Sequence, residues 1–233
     1  MKLKDNGMWV PDWDKDKCHD IWDVESYGNG LVLDVVNNFP LPIEQRRTMI
    51  DLGSNVGYTA IGFSKFFEHV YAFEPIKEVY DCLVKNIEKY KNITAFNKAV
   101  SNFKGKATFR KGVVSGHSHL RSVDDAQPYG AVRGKDILVE VVKLADNFEN
   151  VDLIKMDVQG AEPLILQSHA EFLKNHKPML VLEHMSGIDY HEILDDYGYI
   201  VVYKRKNDWI FIHRRKLKQT YHLLPLKWRN QLV

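Results

Sequence analysis

Thr48-Met-Ile-Asp-Leu-Gly-Ser-Asn-Val-Gly-Tyr-Thr59 is the stretch whose reading decides the fold. Met49, Ile50 and Leu52 form the apolar end of a buried strand, Gly53 stops it, and from Tyr58 to Phe67 apolar residues return at helical spacing. Gly53 and Gly57 give the backbone the freedom that a tight strand-to-helix turn needs. Such a turn lies at the carboxyl edge of a sheet and is expected to present unpaired N–H groups and the positive end of a helix, where doubly wound α/β folds hold their ligands.

Glycine spacing separates the cofactors that use this turn. A dinucleotide site has G-x-G-x-x-G, whose middle glycine admits a pyrophosphate. Here Asn55 holds that position, and Asp51 stands two residues before Gly53. A carboxylate beside the turn repels phosphates and suits a ligand with an ammonium group. The turn therefore predicts S-adenosylmethionine rather than NAD, held by Asp51, Gly53, Ser54, Asn55, Gly57 and Tyr58; a strand-to-helix turn without a ligand is the alternative.

The chain has 233 residues, long enough for one sizeable core, and is 45% hydrophobic and 27% charged, as soluble globular proteins are. A net charge of +1 gives no global pull toward nucleic acid or an anionic membrane. Two cysteines, Cys18 and Cys82, exclude a disulfide framework and a four-cysteine zinc site. No apolar run approaches the ~18 residues of a membrane helix, and no signal-like segment follows Met1, so no membrane association and a cytoplasmic location are expected.

The first 25 residues carry seven Asp/Glu against four Lys/Arg, with Trp9, Trp13 and Trp22 among them. Asp12, Asp14, Asp16, Asp20 and Asp23 fall in calcium-loop register, but Lys17 stands where that loop needs glycine and Pro11 precedes it. We expect no metal site there, but a solvated acidic segment whose tryptophans lie on the main domain. Tyr27 to Phe39 reads as a helix ended by Pro40 and Pro42. The expected organisation is an extension over 1–42, a ligand-binding domain over 43–213 and a basic tail over 214–233.

Beyond the turn, strand and helix alternate. His69–Phe73 is a second strand, and Glu74 follows 17 residues after Gly57, close to the ~20 at which an acid accepts ribose hydroxyls. Pro75 is expected to open the next helix, through about Tyr90. Ile93–Phe96 is a third strand, and Asn97, Ala99 or Val100 after it would lie beside an adenine. Lys106–Arg110 and Asp136–Val142 are β-rich, and between them the polar stretch 112–133, with His117, Ser118, His119, Tyr129 and Arg133, has the composition of a substrate lid or of an exposed hairpin. Val151–Met156 delivers Asp157 to the same edge, ahead of a helix from Glu162 to Lys174, so that Asp157 faces the crevice or caps the helix. Met179–Leu182 ends at Glu183 and His184, and Tyr199–Tyr203 with Trp209–His213 form a closing hairpin.

These motifs together resemble the FkbM-type S-adenosylmethionine-dependent methyltransferases over roughly residues 45 to 213. The residues that carry the resemblance are Ile50-Asp-Leu-Gly-Ser-Asn-Val-Gly57, Ala72-Phe-Glu-Pro75, Asn97-Lys-Ala-Val-Ser101, Ile154-Lys-Met-Asp-Val-Gln-Gly-Ala-Glu162 and Leu182-Glu-His184. The resemblance implies a Rossmann-like class I methyltransferase fold, α/β, with a seven-stranded, mostly parallel sheet and an antiparallel closing hairpin strand. It also implies methyl transfer to oxygen, on a sugar or glycan or on a small natural product. Gln159 stands where the family commonly has Glu.

A base would help if the acceptor is a hydroxyl; His184 leads, since imidazole titrates near neutrality, with Asp157, His117 and Glu183 behind it. The rival reading is a nucleic-acid methyltransferase or RNA-binding module. Residues 204–229 hold nine Lys/Arg against one Asp, interleaved with Trp209, Phe211, Tyr221 and Trp228, a composition suited to weak phosphate tracking and base stacking. Against it, Asp157-Val-Gln occupies the place of the Asn/Asp-Pro-Pro-aromatic turn used on base amines, and the acidic first 25 residues are expected to pair with the tail.

Overall fold

The computed structural model describes residues 1–20, 22, 24, 27–39, 41–121, 134–144, 148–184, 187–205, 207–220 and 226–229. Asp23, Pro40, Tyr129, Arg133 and Tyr221, singled out above, lie outside them. In chain order the elements are β1 (Lys2–Leu3), β2 (Trp9–Val10), α1 (Tyr27–Asn37), β3 (Thr48–Leu52), α2 (Tyr58–Ser64), β4 (His69–Phe73), α3 (Lys77–Ile87), β5 (Ile93–Phe96) and β6 (Ala99–Val100). There follow β7 (Gly105–Gly112), β8 (His119–Leu120), β9 (Gly134–Val142), β10 (Val151–Met156), α4 (Glu162–Ser168), α5 (Ala170–His176) and β11 (Met179–Glu183). The last are α6 (Tyr190–Asp195), β12 (Tyr199–Arg205), β13 (Asp208–His213), α7 (Arg214–Thr220) and α8 (Leu226–Arg229).

The main sheet has seven strands in the order β12-β13-β11-β10-β3-β4-β5. Only β13 runs antiparallel to its neighbours, β11 and β12. This is the class I methyltransferase fold. Every residue of β3 and β10 is buried, as a central parallel strand covered on both faces requires. The chain winds outward from β3 in one direction through β4 and β5 and in the other through β10 and β11, so a crevice opens between β3 and β10 at their carboxyl ends. Register fixes what meets there. Leu52 pairs with Phe73 and with Met156, Met156 with Leu182, and Glu183 with Asp208. Gly53, Glu74, Asp157 and Glu183 therefore leave the sheet along one edge.

Two local expectations need correction. The helix from Glu162 breaks into α4 and α5 at His169, whose backbone has φ −118° and ψ 28°. Its buried imidazole accepts the Leu144 N–H at 2.9 Å through Nε2, while Nδ1 lies 2.8 Å from the Ile165 carbonyl oxygen. That tertiary tie outweighs helix continuation. Second, Pro75 precedes α3 instead of opening it, because the Glu74 carboxylate accepts the Ile76 N–H at 2.8 Å and holds the chain in a turn. The stretches read as β-rich lie in a second, four-stranded sheet, β6-β9-β7-β8, with β7 paired antiparallel to β9 over all of β7.

Both ends pack onto this frame. The Trp9 N–H donates to Asn86 Oδ1 at 2.7 Å, and Trp9, Trp13 and Trp22 rest on the core. Trp228 in α8 is fully buried and stacked on Tyr203, with ring centroids 5.5 Å apart. Among the described residues the printed ion pairs of the two flanks are separate: Asp12 meets the N-terminal ammonium, Asp14 meets His19 and Asp20 meets Lys4, while Lys216 meets Asp152 and Arg214 meets Asp195. Among the described residues no helix is long and apolar enough to cross a membrane.

Candidate active site

A cavity of about 720 Å³ opens at the crevice, lined by Gly53, Asn55, Glu74, Pro75, Ala99 and Val100 on one side and by Asp157, Gln159, Glu183, His184, Asn207 and Asp208 on the other. His117 and Ser118 reach it from the turn before β8, and Phe109 and Leu120 of the second sheet complete an apolar wall with Phe73 and Ile76. The N-terminal segment forms a further wall through Lys15, Asp16, Lys17, Cys18 and Trp22. Asp14 anchors that segment. Its carboxylate accepts the Ser115 N–H at 3.2 Å and lies 3.1 Å from His19 Nε2, while the Ser115 hydroxyl and the Asn55 side chain exchange hydrogen bonds.

Five predicted contact residues lie behind the wall. Ser54 donates to the Asp51 carbonyl at 2.9 Å and shapes the turn. Gly57, at φ 103°, precedes α2 in a left-handed conformation. Tyr58 is buried beneath His19, with ring centroids 5.8 Å apart. Asn97 braces the loop after β4 by donating to the carbonyls of Glu74 and Pro75 at 3.0 Å. Asp51 is fully buried on the sheet, in register with Lys155.

The turn itself does not present the unpaired N–H groups expected of it. The Gly53 and Ser54 N–H groups both donate to the Phe73 carbonyl, Gly57 N–H donates to Ser54 O, and Asn55 N–H donates to the Glu74 carboxylate at 3.1 Å. With those donors spent internally, the sheet edge faces the cavity with the carboxyl groups of Glu74, Asp157, Glu183 and Asp208 and with Lys98. Burial raises the Glu74 carboxyl to about 8, so it holds a proton at neutral pH, and raises Asp208 to about 6, helped by Asp157.

The other side is built on a buried lysine. Lys155, 2% exposed, places Nζ 3.2 Å from Asp157 Oδ2, 3.4 Å from the Gly53 carbonyl and 3.8 Å from Asp51 Oδ1. Burial works against the ionised Asp157, yet the Lys155 ammonium and hydrogen bonds from its neighbours hold its carboxyl below the usual range. Glu183 beside it is pushed the other way, first by the Asp157 charge and then by burial, and keeps its proton. Capping of the 157–162 turn falls to Glu162, which accepts the N–H groups of Val158 and Gly160 at 2.8 and 2.9 Å. Asp157 is thus no helix cap and turns to the cavity.

His184 stacks on Trp209 with ring centroids 4.0 Å apart, and Lys204 Nζ sits 3.8 Å from the centroid of the same indole. Partial burial, and then Lys204, lower the imidazole below its usual value, which leaves it neutral at pH 7. Sequence reasoning gave no role to Lys155, Asn207, Asp208 or the 14–22 segment. Lys155 alone had a signal: a lysine in an otherwise buried strand needs an acidic partner.

The methyltransferase FkbM domain model matches residues 51–201, more than half the chain, and the protein belongs to the FkbM family of S-adenosylmethionine-dependent methyltransferases. Among solved structures, the FkbM methyltransferase of Methylobacillus flagellatus is 17% identical at a TM-score of 0.48; the alignment covers 72% of this chain and 44% of that one, so this chain spans less than half of that relative's length. A putative tRNA (m1A22) methyltransferase of Streptococcus pneumoniae, solved with S-adenosyl-L-methionine, is 17% identical at a TM-score of 0.45, over 77% of this chain and 69% of that one. A putative RNA methyltransferase of Pyrococcus horikoshii is 12% identical at 0.44, over 88% and 92%. No curated protein matches the chain.

The cofactor is S-adenosylmethionine, and the donor set of the cavity fits it. The ionised Asp157 suits a ligand bearing an ammonium and a sulfonium, and the N–H groups of Gly53, Ser54, Asn55 and Gly57, spent within the protein, are not offered to a pyrophosphate. Ala99, Val100, Phe109 and Leu120 offer an adenine an apolar slot.

Proposed function

We propose that the protein methylates a hydroxyl oxygen of a sugar, a glycan or a small natural product. The observation that carries this is a neutral imidazole, His184, on the wall of the cavity that also holds the glycine turn and the ionised Asp157. The cofactor supplies an already activated methyl group, so the chain's work is mainly to place an oxygen in line and to take its proton. His184 accepts that proton at the cavity rim, with Trp209 fixing the ring plane. Asp157 gives the cationic end of the cofactor its counter-charge, and His117 and Asp208 offer polar contacts to the acceptor.

Glu74 holds the ribose. Glu74→Ala should weaken binding of S-adenosylmethionine by about 1–3 kcal/mol, roughly 0.5–1.5 for each ribose hydroxyl bonded to a neutral carboxyl, measured by calorimetry; a folded variant with an unchanged Kd would place the ribose elsewhere. The acceptor class is tested by a screen with radiolabelled cofactor against hydroxylated small molecules, glycans, RNA and DNA.

RNA and DNA should bind weakly through 204–229, with a log–log salt slope of about −0.7 to −0.9 per phosphate contacted, and take up no methyl. Part of the basic charge there is already paired with Asp34, Asp152 and Asp195. Label in nucleic acid and in no hydroxylated small molecule or glycan would overturn the proposal.

A further inference from the structure

Gln159 stands between the two acids at the reacting end of the cavity. It is one of four non-glycine residues with a positive φ among the described residues, at 54°, a left-handed conformation that strains a residue with a side chain. It is 9% exposed and lines the cavity. Its Nε2 donates to Asp157 Oδ1 at 2.9 Å and to Glu183 Oε2 at 2.7 Å, which uses both hydrogens of one amide nitrogen. The next residue, Gly160, also has a positive φ, and its N–H is held by Glu162, so the turn is fixed from behind. A residue that only filled this corner would be glycine or asparagine, which take the conformation at lower cost.

We propose that Gln159 is a positioning residue, whose single amide ties Asp157 to Glu183 and so aims the Asp157 carboxylate at the cationic end of S-adenosylmethionine. The proposal rests on the assignment of Asp157 as the cofactor's counter-charge. An amide suits the position because it adds no charge. Where the family commonly has Glu, this chain has two N–H donors, which draw both acids toward one point. Lys155 holds the second oxygen of Asp157 at 3.2 Å, so the carboxylate is clamped from two sides, by a cation on one oxygen and an amide on the other. Two clamps fix the plane of the group as well as its place.

Two variants test this, both chosen because the left-handed backbone accepts them. Gln159→Asn keeps an amide on a side chain too short to span both acids, and Gln159→Gly has no amide at all. Melting temperature should stay within a few degrees of the parent, since strain is relieved as hydrogen bonds are lost. The Kd for S-adenosylmethionine, read by calorimetry, should rise about 5- to 10-fold at pH 7.5, and by more at pH 5.5, where an Asp157 stripped of the amide takes up a proton more readily. Asp157→Asn, run alongside, should weaken binding at least as much and lose that extra pH dependence. If both Gln159 variants bind as the parent does at both pH values while Asp157→Asn binds poorly, Gln159 is a filler and the proposal falls. If Asp157→Asn itself binds like the parent, the counter-charge assignment falls instead.

Discussion

Gly53→Ala should leave little folded protein and no measurable cofactor binding. A Cβ at Gly53 would lie 1.9 Å from the Asp157 carbonyl oxygen and 2.9 Å from its carbon, both backbone atoms. Neither strand end has room to give. Asp157 N–H donates to Leu52 O at 3.0 Å, Gly53 N–H to Phe73 O at 3.1 Å, and β3 and β10 are paired up to that point. The backbone also sits at φ +78°. Left-handed strain of about 1–2 kcal/mol adds to about 1–3 kcal/mol or more for overpacking, a large share of the roughly 5–15 kcal/mol that holds a domain. Gly57→Ala is the control. Its Cβ would meet Leu83 Cδ1 at 2.7 Å, the end of a side chain that can rotate away, so the cost there is mainly the φ of +103°. Denaturant unfolding measures both; a Gly53→Ala loss below about 1 kcal/mol would mean that the two strand ends move apart more freely than their hydrogen bonds imply.

That close approach explains why much of the site could be read from sequence. Where a strand ends is a local property, and Gly53, Glu74, Asp157 and Glu183 each follow a short apolar run with its own stop. Parallel register then needs only right-handed crossovers to bring all four to one edge. The groups that sequence missed depend on contacts that no local pattern encodes. Asp14 meets Ser115 across 101 residues, and Asp208 meets Glu183 only because β13 inserts beside β11. His169 ends a helix for the sake of the Leu144 N–H. Asp51 went astray for a simpler reason: its side chain belongs to the sheet, where register sets it beside Lys155, and only its carbonyl serves the turn through Ser54. The inward N–H groups of the glycine turn were likewise invisible, since the Phe73 carbonyl and the Glu74 carboxylate that take them come from the next strand.

Lys155→Met is expected to destabilise the protein by about 3–5 kcal/mol at pH 8, the usual loss when one partner of a buried ion cluster is removed. Methionine fills nearly the same volume, so the loss reports charge. Lys155 is buried against Asp51 and Asp157, and no other cation among the described residues forms an ion pair with either acid. Asp51 is fully buried with no hydrogen bond to its carboxylate oxygens, and desolvation already raises its pKa despite the lysine. Asp157 is partly exposed and its pKa is lowered, with Lys155 the leading favourable cause against burial. Without the ammonium both carboxyls shift upward, and Asp157 passes from below its unfolded value to above it. The sign of the pH dependence follows. An acid with a depressed folded pKa adds stability above its unfolded pKa, whereas one with a raised folded pKa adds stability at low pH and loses it as pH climbs through the folded value. The deficit of Lys155→Met against the parent should therefore be small near pH 5 and grow toward pH 8, as unfolding in guanidinium at several pH values would record. A deficit that is the same at every pH would mean that Asp157 is not held as an anion by Lys155, and would remove the counter-charge from the reacting end of the cavity.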